Sequence, residues 1–311
     1  MKMDKQRLLG IFHRSLMPFL PIFRHFRTFV LVGFENIEEK IEYAVLQKAP
    51  HLTGKTVMVT GAGGLVGSEI SHQLLQFQPS RIILIGHGPQ SISSIEQQLQ
   101  NLLERHIEII PIILNVQDKK RLFEIVGRHK PDIIYHTTGK QQRYFTEEIA
   151  VESLYGNVFG TKNLAEAARR YDVNTFVMVS SEQATKPRNL TEAVARLAEM
   201  IVESVSLNST TRFKIIRLPE NLAAHNQLKK SHRLFEQAAP IVDAAQTVLQ
   251  AGSLKAASVS ENMISKSGSA NQGDFQKQAA LSQLELARLL KQLKTTPENK
   301  ARELIISIVK Q

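Results

Sequence analysis

The run Lys55-Thr56-Val57-Met58-Val59-Thr60-Gly61-Ala62-Gly63-Gly64-Leu65-Val66-Gly67 places a short β-branched stretch directly before a loop with the spacing G-x-x-G-x-x-G. Thr56 to Thr60 reads as a buried strand, and a helix is expected to start near Leu65. Glycine in such a loop permits a tight turn and lets backbone N–H groups approach a pyrophosphate, whose charge a helix N-terminus favours. The third glycine lets the helix lie close to the strand. Strand, glycine loop and helix in that order give the opening unit of a Rossmann-type dinucleotide-binding fold.

The pattern continues on the C-terminal side. Arg81 to Ile85, Glu108 to Ile113, Asp132 to His136, Thr175 to Val179 and Phe213 to Arg217 are further near-continuous apolar runs. Amphipathic stretches such as Ser93 to Arg105 and Asn157 to Arg170 lie between them. Strands and helices in strict alternation mean α/β architecture, a doubly wound parallel sheet covered on both faces. The chain divides into an N-terminal basic and aromatic arm (1–51), the Rossmann domain (52–218) and a reduced, mainly helical C-terminal region (219–311). Helices are expected at about 236–251, 279–293 and 299–309, with little strand signal after 218.

Six of the fourteen phenylalanines (Phe12, Phe19, Phe23, Phe26, Phe29 and Phe34) lie in the arm among Lys2, Lys5, Arg7, Arg14, Arg24 and Arg27. Interleaved rings and cations suit an anionic membrane surface, so residues 1–34 are a candidate peripheral membrane contact. Packing of the same rings on the main domain or on a second subunit is the alternative. Pro18 and Pro21 break any single long helix there. Neither a signal peptide nor a spanning segment is read, and a cytoplasmic, membrane-peripheral location is expected.

The chain of 311 residues has a formal charge of +10, which favours an anionic partner; phosphorylated substrates and anionic lipid fit, and nucleic acid is not expected. The absence of cysteine excludes disulfides, thiolate metal sites and cysteine nucleophiles. Ten histidines show no H-x-x-x-H spacing with a nearby carboxylate, so no metal site is expected. No G-x-S-x-G elbow marks a hydrolase. His136 reads as a structural residue at a strand end, and Lys229-Lys230 with His232 and Arg233 as a solvated helix face.

The cofactor positions expected are Gly61, Ala62, Gly63, Gly64, Leu65, Val66 and Gly67, with Asn115 and Val116 after the third strand, and the cofactor NAD or NADP. A carboxylate commonly ends the second strand and binds the adenosine ribose. Here Gly86-His87-Gly88 follows Ile85, and His87 is a weak candidate for an NADP 2′-phosphate.

From Gly54 onward the chain resembles the CapD-like polysaccharide-biosynthesis family, extended short-chain dehydrogenases that include UDP-N-acetylglucosamine 4,6-dehydratases and nucleotide-sugar epimerases. The resemblance is carried by Gly54 to Gly64, Gly67-Ser68-Glu69-Ile70, Lys130 to His136, Asn157 to Ala168, Arg196-Leu197-Ala198-Glu199-Met200 and, more weakly, Asp243 to Gly252. It implies nucleotide-sugar chemistry on a nicotinamide cofactor, with homo-oligomers built through Rossmann helices or a partner from polysaccharide synthesis. The family's Ser-Thr-Asp-Lys-Ala stretch reads Ser180-Ser181-Glu182-Gln183-Ala184 here, and its Met-Gly-Ala-Thr-Lys reads Thr191-Glu192-Ala193-Val194-Ala195. Ser181 and Glu182 are therefore the residual catalytic candidates, while both lysine positions have lost their cation, at Gln183 and Ala195. Arg196 stands about 100° round a helix from Ala195. In the substrate-side loop Lys140 falls where the family has tyrosine, and Gln141 where it has lysine. Three readings remain open: a CapD-like protein that has lost dehydratase chemistry, an active divergent dehydratase or epimerase using Ser181, Glu182 and Lys140, and a non-enzymatic basic interaction protein at membrane or nucleic acid, without cofactor.

Overall fold

The computed structural model describes residues 51–103, 107–137, 147–207, 209–219, 234–252, 260–261, 283–296 and 298–310. The arm before His51, Lys140, the segment from Leu228 to Arg233 and the start of the helix expected at 279 lie outside them.

Seven strands form one parallel sheet in the order β3-β2-β1-β4-β5-β6-β7. They are β1 (Thr56–Thr60), β2 (Arg81–Gly86), β3 (Glu108–Ile113), β4 (Ile133–Thr137), β5 (Thr175–Ser181), β6 (Arg212–Leu218) and β7 (Ser260–Glu261). The six strands expected from sequence are present within a residue or two. β7 is an addition: two residues beyond the last apolar run pair with Ile215 and Ile216 and carry too little pattern to be read.

Alternation along each strand sorts the side chains into two cores. Met58, Ile83, Ile85, Ile134, Phe176, Met178, Phe213 and Ile215 fill one face. Val57, Val59, Ile82, Leu84, Ile133, Tyr135, Val177, Val179 and Ile216 fill the other. Burying each large aliphatic contributes about 1.5–3 kcal/mol, so a strand buried on both faces needs helices on both sides.

The second face is closed by α1 (Leu65–Leu74), α2 (Pro89–Leu102) and α6 (Leu234–Ala251). The first is closed by α3 (Lys119–His129), α4 (Glu147–Arg170), α5 (Leu190–Ser206), α7 (Gln283–Thr295) and α8 (Glu298–Lys310). The helix ends have local causes. Asp118 caps α3 by accepting from Arg121 N–H at 3.1 Å, and Lys130 ends it in the left-handed region at φ 43°. At the start of α5, Asn189 caps the helix by accepting from Glu192 N–H at 3.0 Å, and the Glu192 carboxylate reaches back one residue past the cap to accept from Arg188 N–H at 2.6 Å.

The chain winds outward from β1 through β2 to β3, then returns to lay β4, β5 and β6 on the other side. The reversal leaves a crevice beyond the carboxyl ends of β1 and β4, where open α/β sheets bind ligands.

Candidate dinucleotide cleft and its rim

The glycine loop lies in that crevice. Gly61 turns the chain at φ 72°, a region closed to most side chains, and Gly64 N–H donates to Gly61 O at 2.9 Å. Ala62 N–H donates to Ile85 O at 3.1 Å, tying the loop to the end of β2. A Cβ on Gly67 would run into the Gly61 carbonyl, so α1 approaches the loop only with glycine there. The helical hydrogen-bond ladder begins at Ser68, whose N–H donates to Gly64 O at 2.9 Å. The N–H groups of Leu65, Val66 and Gly67 precede that ladder at the positive end of α1. Gly64 is exposed, and a Cβ there would meet only the Gly61 carbonyl, at 3.2 Å. This open cradle of N–H groups fits a pyrophosphate.

The adenosine side is less complete. At the end of β2, where a ribose-binding carboxylate is commonly found, stands Gly86, packed close to Ile92 of α2. His87 is exposed nearby. After β3, Asn115 accepts from Gln117 N–H at 3.0 Å, and Val116 lies against Gly160 of α4. Asn163 Nδ2 donates to the carbonyls of Val116 and Gln117, both at 3.2 Å. Asn115 and Val116 thus reach the rim of the cleft in a loop held from α4.

His136 is buried. Its Nδ1 lies 2.6 Å from Thr60 Oγ1 and its Nε2 2.9 Å from Thr161 Oγ1. Burial pushes the imidazole down to about 4, so the ring is neutral at pH 7. The structural reading of His136 holds. Its two partners, 76 and 25 residues away in sequence, left no signal in the sequence.

Ser181 and Glu182 stand at the carboxyl end of β5, two strands from β1. The Ser181 hydroxyl accepts from Gln183 N–H at 3.3 Å as the cap of a short 3-10 turn, and Glu182 is exposed. Ser180 is buried, and its hydroxyl has no partner among the described residues. Ala195, where the resemblance led us to expect one of the family's lysines, is half-buried on α5. Arg196 turns away from it: Nη1 pairs with Glu199 at 3.1 Å and with Glu203 at 2.9 Å. Glu199 is fully buried and also takes a two-pronged contact from Arg217, Nε at 2.9 Å and Nη2 at 2.8 Å. Arg196, next to Ala195, is therefore committed to glutamates of its own helix, one of which ties α5 to β6 through Arg217. Glu192 is spent on the cap of α5, accepting from Asn189 Nδ2 at 2.8 Å as its own N–H donates to Asn189; the Asn189-x-x-Glu192 spacing was the signal for it.

Among the described residues, no group of three or more metal-ligating side chains occurs. No helix among them is long and apolar enough to cross a membrane.

Comparison with known proteins agrees with this geometry. Residues 57–225 match the family described as "Polysaccharide biosynthesis protein". The chain is 35% identical to the capsular polysaccharide biosynthesis protein CapD of Staphylococcus aureus over 240 residues, 72% of this chain and 39% of that one. It is 23% identical over 168 residues to a UDP-N-acetylglucosamine 4,6-dehydratase (inverting) of Campylobacter jejuni, 53% of this chain and 48% of that one. The chain thus spans less than half the length of these relatives. Among solved structures, Pen from Bacillus thuringiensis superposes with a TM-score of 0.52 at 21% identity, over 63% of this chain and 66% of that one, which shows the shared fold. On the family match and on the identity to CapD together, the chain belongs to the CapD-like polysaccharide biosynthesis proteins.

Proposed function

We propose that this chain is a dinucleotide-binding member of surface polysaccharide synthesis that has lost the proton-transfer machinery of a 4,6-dehydratase. The observation that carries the reading is the contrast between the two sides of one crevice. The glycine loop is complete, with free N–H groups at the start of α1, whereas Gln183 and Ala195 stand at the two lysine positions. When bound, NAD or NADP supplies hydride transfer. Leu65, Val66 and Gly67 would hold its pyrophosphate, with Asn115 and Val116 at the adenosine side.

The remaining rim supports binding better than turnover. Proton transfer to or from a sugar needs a group within hydrogen-bond reach whose pKa suits the task. The arginine next to Ala195 is held by two glutamates, and a guanidinium does not give up its proton near neutral pH. A protein of this kind senses or presents a nucleotide while a partner in polysaccharide synthesis performs the sugar chemistry.

Calorimetry with NAD, NADH, NADP and NADPH on the purified protein tests the first half. Saturable binding is expected, and none up to millimolar concentration would remove the cofactor from the proposal. Incubation with UDP-N-acetylglucosamine and the bound nucleotide tests the second half. No 4-keto product is expected; its formation would overturn the loss of catalysis.

A further inference from the structure

Gly160, Thr161 and Asn163 fall within one turn of α4, and each holds a different piece of the cleft wall. Thr161 Oγ1 meets His136 Nε2 at 2.9 Å, and His136 Nδ1 meets Thr60 Oγ1 at 2.6 Å, one residue before the turn at Gly61. The Thr60 carbonyl in turn accepts from Thr137 Oγ1 at 2.8 Å. Thr60 is therefore held through both side chain and main chain where the glycine loop departs from the sheet. Asn163 grips the carbonyls of Val116 and Gln117, and Gly160 leaves the space that Val116 occupies. Thr161 is fully buried and His136 nearly so, so no water competes for these contacts.

We propose that this turn of α4 is a positioning clamp: through Thr161 and His136 it fixes the glycine loop, through Asn163 and Gly160 it fixes the Asn115–Gln117 loop, and so it sets their separation. The proposal rests on the cofactor reading for its purpose, because the two loops flank the pyrophosphate and adenosine halves of one dinucleotide. A clamp of this kind preorganises the cleft, so the loops need not be ordered at the moment of binding. His136 and Thr161 act through Thr60 and do not touch the nucleotide.

The test compares Thr161→Val, which keeps the shape and removes the hydroxyl, with Thr161→Ser, which keeps the hydroxyl. Amide hydrogen exchange is read at Ala62 and Gly64, whose N–H groups bond to Ile85 and Gly61, and at the centre of β5 as a monitor of global stability. Thr161→Val is expected to speed exchange at Ala62 and Gly64 by about five- to tenfold, the effect of one lost hydrogen bond, beyond any change in β5. Thr161→Ser should remain near wild type. NADH affinity, read by fluorescence, should weaken by a similar factor in Thr161→Val alone. Exchange unchanged in Thr161→Val, or raised equally by Thr161→Ser, overturns the clamp whatever the nucleotide does. An exchange contrast in a wild-type protein that binds no nucleotide upholds the clamp and overturns the cofactor reading instead.

Discussion

Replacing Glu199 by alanine strikes the most buried charge in the described structure. Its Oε1 takes Arg217 Nε at 2.9 Å, and its Oε2 takes Arg217 Nη2 at 2.8 Å and Arg196 Nη1 at 3.1 Å. Arg196 retains Glu203 in the variant, so the loss falls chiefly on Arg217, which is 6% exposed at the carboxyl rim of β6. Breaking a buried ion pair by removing one partner costs about 3–5 kcal/mol, mostly the penalty of leaving the other charge without it. For a chain of this size that corresponds to a fall in Tm of roughly 5–8 °C. Glu199→Gln should be nearly as damaging, since the amide turns an N–H₂ donor toward a guanidinium that itself only donates. The double variant Glu199→Met with Arg217→Met removes both charges and keeps the volume, and it should recover most of the loss. Chemical denaturation of the wild type, Glu199→Met, Arg217→Met and the double gives the coupling energy directly. A cost below about 1 kcal/mol for Glu199→Ala, the range of a surface pair, or a double variant no better than the single, would refute the claim that this network holds α5 to β6.

Gly67→Ala would force a Cβ into the Gly61 carbonyl; about 1–3 kcal/mol of stability should go, together with nucleotide binding measured by calorimetry. Asn189→Ala removes the cap of α5 and should cost about 1 kcal/mol in urea unfolding. His136 and His51 are both pushed down to about 4, chiefly by burial, from an unfolded value near 6.5. Their native states bind fewer protons than the unfolded chain, so stability is full above pH 6.5 and lost as pH falls toward 4. The slope approaches about 1.4 kcal/mol per pH unit for each fully shifted histidine. Urea midpoints at pH 7 and pH 5 check this, and an equal midpoint at both would show that the rings are not held neutral by the fold.

The fold was legible because its signals are local. Each strand is a run of apolar residues bounded by polar ones, and Gly61, Gly64 and Gly67 announce the first crossover within seven residues. Gln183 and Ala195, which the resemblance set against the family's two lysines, rest on a comparison of short stretches and on no contact in the fold. The contacts that shape the cleft were not legible. Thr60, His136 and Thr161 are unremarkable residues until the sheet places β1 beside β4 and α4 above them. Arg196 could be turned away from Ala195 by helix geometry alone, but its partner Glu199 shares a carboxylate with Arg217 from another element. The space under Val116 depends on a glycine on α4, a pairing that no spacing within either segment encodes.

The arrangement of the last helices has a consequence for how the chain is made. All of β1 to β6 lies before residue 219, yet α6 closes the Tyr135 and Ile216 side of the sheet, while Leu290, Leu293, Ile305 and Ile308 of α7 and α8 join the core on the opposite side. Synthesis at roughly 5–20 residues per second leaves the ninety-odd residues after 218 several seconds behind a sheet that is already translated. During that interval both faces of the nascent sheet show apolar side chains to solvent, the condition that recruits holding chaperones and invites strand-edge association.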